Sequence, residues 1–245
     1  MVTPNRLERP AFYALRPGGW RDLLTLLHPP YTAWHLSYVA LGAAAAPTLY
    51  IDRLAAALLA FFLAVGVCAH ALDEFNGRPL RTRLSNGVLI ALAVVSLGGA
   101  VAIGIVGAAT VSLGLLAFIA AGAFIVAAYN LELFGGRFHS DFWFAAAWGA
   151  FPALTGYWIN ALEFQLQGIA VSAACFMLSI VQRRLSTPVR ELRRHTASVT
   201  GQQRLTDGTT LELNAARLTK PLDGALGACA LALPVLAGGL VLARL

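Results

Sequence analysis

An all-α, polytopic membrane bundle is the fold this sequence predicts, and three observations carry the prediction. Of the 245 residues, 58% are hydrophobic and only 12% charged, with a mean hydropathy of +0.68. Soluble domains average about 45–50% apolar and about 25% charged, so this chain has too little polar surface to face water on every side. Apolar stretches close to the roughly 20 residues that cross a bilayer core recur along it. The basic residues, finally, collect in alternate connections between those stretches.

The elements follow in order. Residues 1–33 form a segment outside the bundle, in which 11–28 read as an amphipathic interfacial helix with Phe12, Tyr13, Leu24 and Leu27 set among Arg16, Arg21 and Asp22. The same segment holds Arg6, Arg9, Arg16 and Arg21 and no continuous apolar run, so no cleavable signal peptide is expected there. Residues 34–245 form the transmembrane domain, with seven spans expected at about 34–51, 53–72, 86–108, 111–131, 142–162, 165–182 and 222–243. Glycine and alanine are frequent within them, which lets helix backbones approach where lipid offers no hydrophobic drive to associate. Cys68, Cys175 and Cys229 lie inside apolar runs without metal or dithiol spacing and read as buried hydrophobes.

Orientation follows from the arginines. With the N-terminus cytoplasmic, 16 of the 18 basic residues lie inside and only Arg53 and Arg244 outside. Topology and attraction to anionic headgroups account for the net charge of +6, so no nucleic-acid partner is expected. Inside loops are also the long ones, at 73–85, 132–141 and 183–221, and binding surfaces concentrate in long loops.

The first of these carries candidate chemistry. His70, Asp73 and Glu74 are spaced three and four apart at the end of the second span, so all three can share a helix face. Two carboxylates beside an imidazole suit a divalent ion, and hard oxygen donors favour magnesium held jointly with substrate phosphates. The competing reading pairs Asp73 and Glu74 with Arg78, Arg81 or Arg83 as interfacial anchors. Ionisable groups at this depth are costly and usually mark a site.

Four further stretches stand out: Leu26-Leu27-His28-Pro29, the run His70-Ala-Leu-Asp73-Glu74 followed by Gly77-Arg78-Pro79-Leu80, the pair Tyr129-Asn130, and Gly149-Ala-Phe-Pro152-Ala-Leu-Thr-Gly156. Taken together, they resemble the UbiA superfamily of membrane prenyltransferases. The resemblance covers most of residues 20–244. It implies Mg2+-dependent transfer of an isoprenyl group from its diphosphate to a small or lipidic acceptor, within the membrane lipid. On that reading His70, Asp73 and Glu74 are catalytic, and Asp73, Glu74 and Glu191 hold the metal. Asn76, Arg78, Tyr129, Asn130, Arg137, Arg190, Arg193 and Arg194 bind substrate, and Trp143, Trp148, Tyr157 and Trp158 line the isoprenoid cavity.

Departures from the family are specific. His70 stands where the family has Asn, the carboxylates are compressed into an adjacent pair, and the second acidic motif is reduced to Val189-Arg190-Glu191-Leu192-Arg193-Arg194-His195, with Glu191 its one acid. The family has nine helices against seven here, so a homo-oligomer or another partner is expected to close the bundle's side. Arginines are expected to replace part of the metal's work. Residues 183–221 read as a cytoplasmic cap loop, with a helix stop at Ser186-Thr187-Pro188, a restart after it, turns through 200–208 and a short helix over 211–218. The alternative is a mobile basic tether on lipid headgroups. A UbiA-related terpene cyclase and a non-catalytic lipid-binding scaffold are the alternative functions.

Overall fold

The computed structural model describes residues 9–245. Arg6, counted above among the inside arginines, lies outside the described residues. The chain forms a helical bundle in the order α1 (Trp20–Leu26), α2 (Pro29–Ala45), α3 (Ile51–Phe75), α4 (Asn86–Thr110), α5 (Leu115–Asn130), α6 (141–161), α7 (Leu166–Arg194) and α8 (Ala215–Leu242). Four of these, α3, α4, α7 and α8, are long and apolar enough to cross a membrane, and α5 is a shorter apolar helix. The protein is an α-helical membrane protein by that measure.

Helix ends obey local chemistry. The sequence α2 starts at Pro29 rather than at residue 34, because two prolines occupy its first turn, where their missing N–H groups are not needed. It stops at Ala45, since Ala46 is held extended ahead of Pro47. The interfacial helix is confined to Trp20–Leu26 rather than 11–28, because Gly18 and Gly19 take φ of +132° and +59° and break the helical path. At the other end of the chain, Asn214 caps α8 by accepting from the Arg217 N–H at 2.9 Å, so that helix begins seven residues before the predicted span.

The long connection 183–221 differs most from expectation. Its first twelve residues are helical, continuing α7 to Arg194 straight through Pro188. Neighbouring helices bury Ser186 and Val189, and such packing sustains a helix across the hydrogen bond that proline removes. Residues 211–218 are not a separate short helix: 211–213 are strand and 215–218 are the first turn of α8, while Gly201–Arg204 (β1) and Thr210–Leu213 (β2) pair as an antiparallel hairpin, which projects largely exposed beyond the bundle. Its turn is fixed by the Thr209 N–H donating to Asp207 Oδ1 at 2.8 Å, a bond that holds the Asp207 carboxyl below its ordinary range.

At the centre lies α2, packed by α3, α6, α7 and α8. Trp34, Tyr38 and Val39 are completely buried, and Trp34 Nε1 donates to the Tyr38 hydroxyl. The α2–α6 crossing is a backbone contact: a Cβ on Gly156 would sit 2.1 Å from the Val39 carbonyl oxygen, and one on Gly42 would sit 1.9 Å from that of Ala153. Gly156→Ala should therefore lower stability by about 2 kcal/mol or more, because backbone cannot move aside as a side chain does. Thermal unfolding in detergent reads this directly, with Gly98→Ala, which meets nothing within 4 Å, as the unaffected control. Equal midpoints for the two variants would contradict the crossing.

Two helices widen locally into π turns, α3 at Phe62–Ala69 and α6 at Ala146–Ala150. Such turns recur at functional sites. At the bundle end remote from the arginine-rich loops, Arg53 and Arg244 are bound to backbone carbonyls. Arg53 donates to Ile159 O at 3.0 Å and stacks on Tyr50, while Arg244 donates to Ala46 O and Pro47 O at 3.0 and 2.6 Å. These two cations thus act as helix-end caps.

Candidate functional site: a polar cavity against an apolar groove

The arginine-rich end of the bundle encloses a cavity of about 600 Å3. His70, Asp73, Asn76, Arg78, Tyr129, Asn130, Arg190, Arg193 and Arg194 all line it, so one space gathers nine residues singled out from the sequence. Tyr13 and His28, which the sequence showed only within an interfacial helix and a family-like stretch, line it too, as do Tyr31, His35, His139, Gln182 and Asp223. Asp223 had a signal, as an acid inside an apolar run. Tyr31, His35, His139 and Gln182 carry no comparable signal, because tertiary contacts around α2 bring them together.

Helix α7 supplies the cationic wall. Because α7 runs unbroken through Pro188, Arg183, Arg190 and Arg194 fall at intervals of seven and four residues, with Ser186 and Arg193 beside them on one face. Two of these arginines are matched by carboxylates. Arg183 Nε binds Asp141 at 2.7 Å, and Arg193 binds Asp223 through both terminal nitrogens at 2.6 and 3.3 Å. Neither Arg190 nor Arg194 has a carboxylate within ion-pair distance among the described residues. The buried Nε of Arg193, the buried Nε of Arg194 and the Gln182 Oε1 have no hydrogen-bond partner among the described residues. Buried guanidinium N–H groups without acceptors are costly, and an anionic ligand satisfies them.

The acidic pair is divided by the fold. Asp73 faces the cavity. Glu74 is fully buried on the other side of the helix, where Oε2 accepts from Leu80 N at 2.8 Å and Oε1 accepts from Thr82 N at 2.7 Å and Thr82 Oγ1 at 2.9 Å. Its oxygens organise the 76–85 loop, so Glu74 is not the metal ligand that the sequence led us to expect. Asp22 pins the same loop to α1, accepting from Gly18 N at 3.0 Å and Arg83 N at 3.1 Å. Arg78 also belongs to the loop: its guanidinium donates to Leu84 O at 2.5 Å and to Asn86, so it is not an unengaged diphosphate contact.

Glu191 and Arg137 are exposed and do not line the cavity, since Glu191 points off the far face of α7 and Arg137 lies in the 131–140 connection. The residues present do not form the magnesium site suggested by the sequence. Asp73 is left among guanidinium and imidazole groups without a second carboxylate from the predicted set, and among the described residues no three His, Cys, Asp or Glu side chains are grouped to hold a metal ion.

Histidines form the opposite wall. The His28 and His70 rings stack at 4.0 Å between centroids, and Tyr13 Oη is 2.6 Å from His28 Nδ1. Burial among these rings, reinforced by His70 and by Arg194, holds His28 well below its usual range, so it stays neutral beside the arginines. His70, His35 and His139 place Nδ1 at 3.1, 2.8 and 3.1 Å from the carbonyl oxygens of Gly66, Trp148 and Tyr129. A carbonyl only accepts, so each Nδ1 carries a proton, and the neutral form of each ring has its lone pair on Nε2. Gly66 and Trp148 lie within the two π turns, which tie the irregular backbone to the tautomers of the site. Strain gathers here as well: His28, Arg78, Arg81 and Glu132, all lining the cavity, are four of the six non-glycine residues with positive φ among the described residues.

Behind Val65 and Trp148 the polar cavity meets a second space, an apolar groove of about 470 Å3 that shares those two residues as walls. The groove runs between α3, α4, α5 and α6 towards Asp52 and Thr110 and is lined by Phe61, Phe118 and Phe151. Of the four aromatic residues singled out from the sequence, Trp148 lines this groove. Trp143 packs against Phe138, Tyr157 bonds Gln165 at 2.8 Å, and Trp158 stacks near Phe118, so these three serve packing. Comparison with models of protein families, with curated proteins and with solved structures finds no match.

Proposed function

We propose that this protein is a UbiA-like membrane transferase that moves an isoprenyl group from its diphosphate to a small or lipidic acceptor. One observation carries the reading: a guanidinium-walled polar cavity and an aromatic-lined apolar groove share Val65 and Trp148 as a common wall. A phosphorylated isoprenoid has the same division into anionic head and apolar tail. In this reading the chain crosses the bilayer seven times, through α2 to α8, with the N-terminus and the polar cavity on the cytoplasmic side.

The residues divide the work. Arg190 and Arg194 take the diphosphate and bear the charge that grows on it as the allylic C–O bond breaks. Trp148, Phe61, Phe118 and Phe151 present ring faces to the tail and to the cation at its head. The acceptor's oxygen, nitrogen or carbon forms the new bond to the allylic carbon, and its proton passes to the lone pair of His70 Nε2. Asp73, one turn from His70, stabilises the imidazolium that results.

Purified protein in lipid nanodiscs, given radiolabelled farnesyl or geranylgeranyl diphosphate and a membrane-lipid extract, should release diphosphate and yield a labelled acceptor. Neither binding nor consumption of any isoprenyl diphosphate defeats the proposal. Release of a cyclic hydrocarbon or alcohol without acceptor would reassign the protein as a terpene cyclase, and binding without turnover as a lipid-binding scaffold.

A further inference from the structure

We infer that the cavity holds a diphosphate ester by guanidinium groups alone, without a divalent cation; the inference rests on the reading above and specifies how its substrate is bound. The donor set is the argument. A magnesium ion bridging protein and diphosphate needs carboxylates that converge with free oxygens. Glu74 has both oxygens engaged by the 76–85 loop, and Glu191 does not line the cavity. Asp223 lines it but is bonded to two nitrogens of Arg193. Glu132 also lines it, but beside His139, with its carboxylate 3.8 Å from Nδ1, and Asp73 faces a wall of arginines.

That wall has what an anion needs. Among the described residues, Arg190 and Arg194 carry charges unmatched by carboxylates, and the buried Nε–H groups of Arg193 and Arg194 lack acceptors. A diphosphate brings several acceptor oxygens and negative charge to the place where donors are unsatisfied. Guanidinium groups bind such oxygens in planar, bidentate fashion and stay charged. The loop arrangement that removes Glu74 from the cavity and the continuous α7 that brings Arg190 and Arg194 into it are two independent features with one consequence.

The test is a binding titration of full-length protein in nanodiscs with farnesyl thiodiphosphate, a poorly hydrolysed analogue, once in EDTA and once in excess Mg2+. Affinities within threefold of each other are expected. Binding at least tenfold tighter with Mg2+ overturns the inference and leaves the transferase reading standing. Asp73→Asn supplies a second, opposite-signed readout: with a metal at the site the variant weakens binding, whereas with guanidinium binding it leaves affinity unchanged or improves it by removing a like charge. Weaker binding of Asp73→Asn, with an unchanged melting temperature, therefore counts against the inference. Competition by inorganic diphosphate identifies the source of the headgroup. A farnesyl form at least tenfold tighter assigns a lipid diphosphate. Equal affinity keeps the metal-free site for a free anion and sinks the transferase reading, so the two failures are distinguishable.

Discussion

Replacing Arg190 and Arg194 together by Gln should weaken farnesyl thiodiphosphate binding by about 100-fold or more while leaving the melting temperature unchanged. Hydrogen bonds to charged groups contribute about 1.5–3 kcal/mol each, and about 1.4 kcal/mol is a factor of ten, so even one lost contact per arginine reaches that range. Stability should hold because neither guanidinium is matched by a carboxylate among the described residues, and glutamine retains most of arginine's aliphatic stem. Catalytic turnover should fall at least as far, since the same groups bear the charge that develops on the leaving diphosphate. A loss below tenfold would mean that the ligand's charge is met elsewhere. Arg184, exposed and outside the cavity, is the control, and Arg184→Gln should bind as the parent does.

The second large effect separates two adjacent acids. Glu74→Ala should prevent accumulation of folded protein, whereas Asp73→Ala should fold normally and fail in turnover. Removing the Glu74 carboxylate leaves Leu80 N, Thr82 N and Thr82 Oγ1 without their acceptor in a buried setting. An unsatisfied buried polar group costs about 1–3 kcal/mol, so three together amount to at least about 3 kcal/mol, against a typical total stability of about 5–15 kcal/mol. The loop they hold also carries Arg78 and Arg81 in left-handed conformations at φ of 52° and 56°, which persist only where the surroundings enforce them. Yield in membranes, protease sensitivity of the 76–85 loop and thermal unfolding in detergent measure the effect. Equal behaviour of the two alanine variants would return Asp73 and Glu74 to a shared role.

These two experiments fall on residues whose types the sequence displays and whose roles it does not. Spacing of three and four between His70, Asp73 and Glu74 permits a common face, and adjacency of Asp73 and Glu74 permits opposite ones. Periodicity is silent between them because the deciding partners, Leu80 and Thr82, sit six and eight residues on, in a loop with no periodic signal. Pro188 is a similar case. Read locally, Ser-Thr-Pro is a helix stop, and only burial of Ser186 and Val189 carries α7 onward and aligns Arg190 and Arg194 with Arg183. The histidine tautomers were beyond reach for a related reason: Trp148 O, the acceptor for His35, is 113 residues away along the chain.

Sequence alone determined that the chain is a membrane-embedded helical protein, because apolar run length and sparse charge are sums over local composition that no tertiary arrangement alters. It also determined that the ionisable groups collect near one set of helix ends. The tertiary structure decided which of those groups share a cavity, which are turned into a loop, and that an apolar groove adjoins them behind Val65 and Trp148. The reason is geometric: a side chain's direction depends on how its helix is rotated and where it ends, and those are set by contacts between segments far apart in sequence, such as Gly156 against Val39.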